Sequence, residues 1–222
     1  GTGITASALL VRNAVNANLS SALNTFNVLR GVNVSGNFTL ATTGNLSLGD
    51  PLGVGGTLHA GGALSLHAGG SLNGSFAGFT PDMEGQSISL RASGPSGSGN
   101  LTVVNNLTAT GAISLVSDNG NIIVGSQFGG ALSLAGSSLS MTAAPSGSVE
   151  LRTVSGGAAT FLNLNVPSVT TSAPWQVSGT GTLTMVGPAS ISQLTLAGGT
   201  ITGNADLDVT TSFGESNWYR IA

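Results

Sequence analysis

Gly62-Ala63-Leu64-Ser65-Leu66 and Gly111-Ala112-Ile113-Ser114-Leu115 are one phrase written twice, and it recurs as Gly44-Asn45-Leu46-Ser47-Leu48 and Gly130-Ala131-Leu132-Ser133-Leu134. A turn residue enters each phrase, and aliphatic residues then alternate with hydroxyls. A period of two places the aliphatic side chains on one face of a strand and the hydroxyls on the other. Related runs follow along the chain, among them Phe38-Thr39-Leu40, Ser87-Ile88-Ser89-Leu90, Leu101-Thr102-Val103 and Leu194-Thr195-Leu196. Gly-Asn, Gly-Gly and Asp-Asn-Gly stand between them and supply turns, because Gly and Asn tolerate positive φ. Repetition of one short unit means stacked coils.

Matching phrases estimate the stride: Leu46 to Leu64 is 18 residues, Leu64 to Ile88 is 24, Ile88 to Ile113 is 25 and Ile113 to Leu132 is 19. A coil of about 18–25 residues holds two or three short strands with their turns. The predicted fold is all-β, a right-handed parallel β-helix forming a single segment over residues 1–222. Three places depart from the pattern. Residues 5–29 carry apolar residues at Leu9, Val15, Leu19, Leu23 and Phe26, a spacing open to a capping helix or to strands. Strands are favoured, with Asn13, Asn16, Asn24 and Asn27 in turns or in an asparagine ladder, since Asn is a poor helix former. Residues 73–86 and 165–176 (the latter with Pro167, Pro174 and Trp175) are expected to loop away from the rod.

Composition narrows the function classes. The chain has 222 residues, and only 6% of them are charged. Its basic residues are Arg12, Arg30, Arg91, Arg152 and Arg220, widely separated and with no lysine among them. That supply is too thin for a nucleic-acid footprint or a polybasic membrane face. No cysteine is present, which removes disulfides, thiolate metal sites and a Cys nucleophile. No run approaches the ~20 apolar residues of a membrane helix, and no signal peptide is visible. The chain opens and stops within repeat-like sequence and reads as an excerpt of a longer one. A transmembrane β-barrel would need strands of ~10 residues and aromatic girdles, whereas these runs are short and there is one tyrosine.

The phrases Gly36-Asn37-Phe38-Thr39-Leu40, Gly44-Asn45-Leu46-Ser47-Leu48-Gly49, Gly99-Asn100-Leu101-Thr102-Val103 and Gly111-Ala112-Ile113-Ser114-Leu115 resemble repeats of the filamentous haemagglutinin-like family. So does Leu194-Thr195-Leu196-Ala197-Gly198-Gly199-Thr200-Ile201-Thr202-Gly203-Asn204-Ala205-Asp206-Leu207. The resemblance spans most of residues 30–212. These are exported adhesins of Gram-negative bacteria, released by two-partner secretion. The family's secretion domain bears an Asn-Pro-Asn-Gly turn, which is absent here, so the resemblance implies the repeat shaft of the passenger. It further implies a secreted, extracellular or cell-surface rod without enzymatic activity or cofactor. The expected partners are glycans or proteins of a host or neighbouring cell, or further copies end to end, with no nucleic acid and no membrane insertion.

Chemistry-bearing residues are few. His59 and His67 fall on consecutive phrases and point outward by parity. They are a weak metal pair without a clear third ligand, Asp50 and Asp82 being loose candidates. Two exposed histidines are the simpler reading. Asp206 and Asp208 share a strand face, and Asp118 sits in a turn. Carboxylates clustered on a β-helix can hold Ca²⁺ in polysaccharide lyases, but eight acids spread over the chain are a poor supply. No Gly-x-Ser-x-Gly elbow or phosphate loop occurs. Outward Thr, as in Thr180-Gly181-Thr182-Leu183-Thr184, lacks the regular register of an ice-binding face. Asn18, Asn33, Asn37, Asn45, Asn73, Asn100 and Asn106 begin Asn-x-Ser/Thr triplets and are potential glycan acceptors in an exported chain. Trp175, Trp218 and Tyr219 are the aromatic candidates for stacking on sugars, against the plainer role of covering an exposed core edge. A polysaccharide-binding or polysaccharide-degrading β-helix is the alternative to the adhesin rod.

Overall fold

The computed structural model describes residues 2–50, 52, 56–95, 97–125, 130–152, 154–155, 158–171, 173–203 and 206–215. The described chain is all-β. The strands are β1 (Thr5–Ala14), β2 (Ala17–Leu19), β3 (Thr25–Val34), β4 (Phe38–Thr42), β5 (Leu46–Leu48), β6 (Leu58–Ala60), β7 (Ala63–Ala68) and β8 (Leu72–Asn73). They continue as β9 (Met83–Gly85), β10 (Ser87–Ala92), β11 (Leu101–Val103), β12 (Leu107–Ala109), β13 (Ala112–Ser117), β14 (Ile122–Val124), β15 (Gly130–Ala135) and β16 (Ser138–Thr142). The last are β17 (Val149–Arg152), β18 (Val154–Ser155), β19 (Ala158–Asn165), β20 (Val169–Thr171), β21 (Trp175–Met185), β22 (Ala189–Gly203) and β23 (Leu207–Glu215).

Most strands pair in parallel with strands of the adjacent coils, so the ribbon winds as a parallel β-helix with three faces. Face I stacks β2, β4, β7, β10, β13, β16 and β20. Face II stacks the first half of β3 with β5, β8, β11, β14, β17 and the start of β21. Face III stacks the second halves of β1 and β3 with β6, β9, β12, β15, β19 and the end of β21. Two antiparallel departures are a small β18–β19 hairpin and a Phe76–Phe79 bridge.

Inward residues form columns. Phe38, Leu64, Ile88, Ile113, Leu139 and Val169 lie one above another on face I. Leu46, Leu72, Leu101, Ile122, Val149 and Trp175 do so on face II. On face III the column is Val32, Leu58, Met83, Leu107, Leu134 and Leu164. All are buried. Burying one such aliphatic side chain stabilises by about 1.5–3 kcal/mol, and the like-on-like stacking supplies dispersion contacts at every rung. The outward column on face I is Thr39, Ser65, Ser89, Ser114, Ser140 and Thr170.

Coil length varies more than the phrases suggest. Hydrogen-bonded partners one coil apart are separated by 18 residues at Thr184–Thr202, 21 at Asn100–Asn121 and 29 at Ser71–Asn100. Extra residues are extruded at corners without disturbing the columns. Leu64, Ile88 and Ile113 do share a column, but Leu46 stacks with Leu72 and Ile113 with Leu139. The 18- and 19-residue strides from Leu46 to Leu64 and from Ile113 to Leu132 therefore link phrases on different faces.

Residues 5–29 are strands, as favoured. The excursion over 73–86 is narrower than expected, because Asn73 closes β8 and Met83–Gly85 is β9. The segment 165–176 stays on the rod: it contains β20 and enters β21, and Trp175 packs in the bore because it continues the inward period of Val177.

Candidate functional site

The corners are built from side chains. Asn16 Oδ1 accepts the Asn37 N–H at 2.7 Å, and Asn37 Oδ1 accepts the Ala63 N–H at 2.8 Å. Asn45 Oδ1 accepts from Ser71 N, Asn100 Oδ1 from Asn121 N, and Asn121 Oδ1 from Ser148 N. Asn106 Oδ1 takes the Ser133 N–H at 2.9 Å. Asn37, Asn45, Asn100, Asn106 and Asn121 each stand immediately before the first inward residue of a strand. Each carboxamide satisfies a backbone donor of the following coil. Glycine is required beside these staples. A Cβ on Gly36, Gly62, Gly70 or Gly120 would overlap the carboxamide oxygen of Asn16, Asn37, Asn45 or Asn100. The Gly-Asn dipeptide is thus a unit of coil-to-coil closure.

The Asn-x-Ser/Thr residues are split accordingly. Asn37, Asn45, Asn100 and Asn106 are staples, and Asn106 Nδ2 also donates to Asp82 Oδ1 at 3.1 Å. Asn73 is half-buried and its Oδ1 accepts from Ser75 N. Asn18 and Asn33 are exposed on β2 and β3.

His59 and His67 both face outward, but the Gly61-Gly62 corner sends them to different faces. His59, on β6, pairs its Nδ1 with Glu84 Oε2 at 3.2 Å. His67, on β7, bonds Ser93 Oγ through Nε2 at 2.6 Å and lies in register with Arg91. Partial burial pushes the His67 pKa below its ordinary value. The Arg91 charge lowers it further, and Asp118 opposes that shift. The two histidines do not converge, and no cluster of three or more metal-ligating side chains occurs among the described residues. Asp206 and Asp208 are exposed. Trp175 is only 1% exposed, between Val149 and Leu194, so its ring cannot stack on a sugar. Trp218 and Tyr219 lie outside the described residues.

The arrangement best suited to a ligand is on face III, where one outward register column reads Arg12, Asn33, His59, Glu84 and Thr108. A groove of about 530 Å³ is lined by Arg12, Asn13, Asn33, Thr57 and His59, with Leu10 as an apolar flank. A second hollow, of about 390 Å³, also has His59 in its lining, with Glu84, Gln86, Thr108 and Thr110. Asn13 has φ +57°, beside a register shift between Arg12 and Ala14. Bulges of this kind re-aim neighbouring side chains. Sequence parity placed His59 outward, yet the column was invisible because its members lie 21 to 26 positions apart on coils of unequal length. Comparison of the chain with protein-family models, curated proteins and solved structures gives no match.

Proposed function

We propose that this chain is a structural segment of a secreted bacterial surface adhesin or extracellular filament, a rigid rod that displays and spaces weak binding surfaces. The observation that carries this reading is the uninterrupted buried core from Phe26 to Ile201, repeated rung by rung in three columns. Such a core lengthens without changing cross-section, so the outer residues repeat along an axis and engage partners multivalently. The repeat phrases of the haemagglutinin-like resemblance supply the adhesin and export parts of the reading. The partners are glycans or proteins on a host or neighbouring cell, or copies of the chain joined end to end. The chain acts without catalysis.

Negative-stain imaging together with adhesion of protein-coated beads to cells tests this. Thin rods and bead adhesion that rises with coating density are expected; compact particles, or beads that do not adhere, would remove it. The alternative, a polysaccharide-binding or polysaccharide-degrading β-helix, is favoured by the polar column and the two hollows on face III. Release of reducing ends from acidic glycans would put it first.

A further inference from the structure

We propose that face III carries a longitudinal track for an acidic oligosaccharide, with the sugar carboxylate held at Arg12 and successive rings lying over Asn33, His59 and Glu84. This rests on the reading of the rod as a display of binding surfaces and names the ligand class of one of them.

The register makes the track. Arg12, Asn33, His59, Glu84 and Thr108 come from five consecutive rungs. Adjacent strands are ~4.8 Å apart, close to the length of one hexose in an extended chain. Each ring of such a chain would meet a fresh polar side chain as it runs along the axis. The two face III hollows, about 530 and 390 Å³, share His59 as a lining residue. Each lies within the ~300–1,000 Å³ usual for small-ligand sites.

Charge sets the polarity of the ligand. Arg30 faces Asp50, Arg91 pairs with Asp118 and Arg152 with Glu150. Arg12 is the one arginine for which no ion pair is found among the described residues, and it is exposed in the groove. A guanidinium binds carboxylate through paired, charge-assisted hydrogen bonds. Glu84 lies three rungs beyond Arg12, so a second carboxylate is disfavoured there and hydroxyls are favoured. Asn33, Thr57, His59 and Glu84 together offer both donors and acceptors, the mixture that vicinal hydroxyls require. Leu10, 38% exposed at the groove margin, supplies the apolar contact for a ring's C–H face. A nucleic acid would require more cations than one.

Calorimetric titration with a short neutral oligosaccharide bearing a single terminal uronate, and with its methyl ester, tests the proposal, since esterification removes that one charge and leaves the hydroxyls. The acid should bind about tenfold more tightly than the ester, the size of one charge-assisted contact. Arg12→Ala should abolish that preference. Arg152→Ala, on face II, should bind as the parent does. Absence of saturable binding, a preserved acid preference in Arg12→Ala, or an equal loss in Arg152→Ala would overturn the track. X-ray scattering of the same samples separates the two readings: elongated particles that fail to bind remove only the track, whereas compact particles remove the rod.

Discussion

Strand entries differ between the two ends of the rod. On face II the residues that precede the first inward side chain are Asn45, Ser71, Asn100, Asn121, Ser148 and then Pro174, one per rung. Asn45 accepts from Ser71 N, Ser71 Oγ from Asn100 N, Asn100 from Asn121 N, and Asn121 from Ser148 N. The relay ends at Pro174, which has no N–H to offer, and the residue beneath it is a serine. Beyond Pro174 the construction changes. Strands β21 and β22 run 11 and 15 residues around the corners, and their ladder continues from Trp175 to Met185 with one register shift. Coils there shorten to 18 residues at Thr184–Thr202. Past Pro174 the ladder itself carries the chain around the described corners. A longer coil turns away from the ladder and leaves a donor, which an asparagine takes up. Asparagine is therefore placed where the rung above presents an N–H.

The largest expected effect lies where the two constructions meet. Trp175→Ala empties the core between Val149 and Leu194 and should destabilise by about 3–5 kcal/mol, read as a lowered denaturation midpoint. A loss below about 1 kcal/mol would show that the bore collapses freely at the proline entry. Next in size, Gly62→Ala drives a methyl group into the Asn37 carboxamide and should cost about 1–3 kcal/mol. The penalty should shrink in an Asn37→Gly background, a coupling that a double-mutant cycle measures. Smaller again is Asn121→Ala, at about 0.5–1.5 kcal/mol for one hydrogen bond. Ser148→Ala, under the proline, should stay within about 0.5 kcal/mol. Equal losses at the two positions would break the account of the relay.

The smallest effect is a pH dependence on face I. His67 has a folded pKa below its unfolded value of about 6.5. In that interval the unfolded chain binds more protons, so stability rises with pH. The contribution of neutral His67 is complete above about pH 6.5 and is lost as pH falls through the lowered folded value. Paired urea titrations of the parent and His67→Gln should diverge only in this window. A parent curve that tracks the variant throughout would show that burial and the Arg91 charge do not hold the ring neutral.

The strands and the orientation of their side chains were legible in the sequence, since alternation such as Leu64-Ser65-Leu66 admits one inner face. The same rule, applied across Pro174, would have buried Trp175 beside Val177; reading the prolines as a loop obscured it. The asparagines were read as turn formers or glycan acceptors. Their recurrence just before an apolar residue, with glycine on their N-terminal side at Asn37, Asn45, Asn100 and Asn121, was the available signal of a structural role.

Local alternation of hydrocarbon and hydroxyl determined, from sequence alone, that the chain forms β-strands with a dry interior, because a period of two is a property of the strand itself. Which strands share a face was decided only by the three-dimensional winding. Coils of 18 to 30 residues cannot be aligned by counting, and corners such as Gly61-Gly62 redirect neighbouring residues like His59 and His67 to different sides. The relay of asparagines and the column from Arg12 to Thr108 depend on that alignment, since their partners meet through stacking across coils.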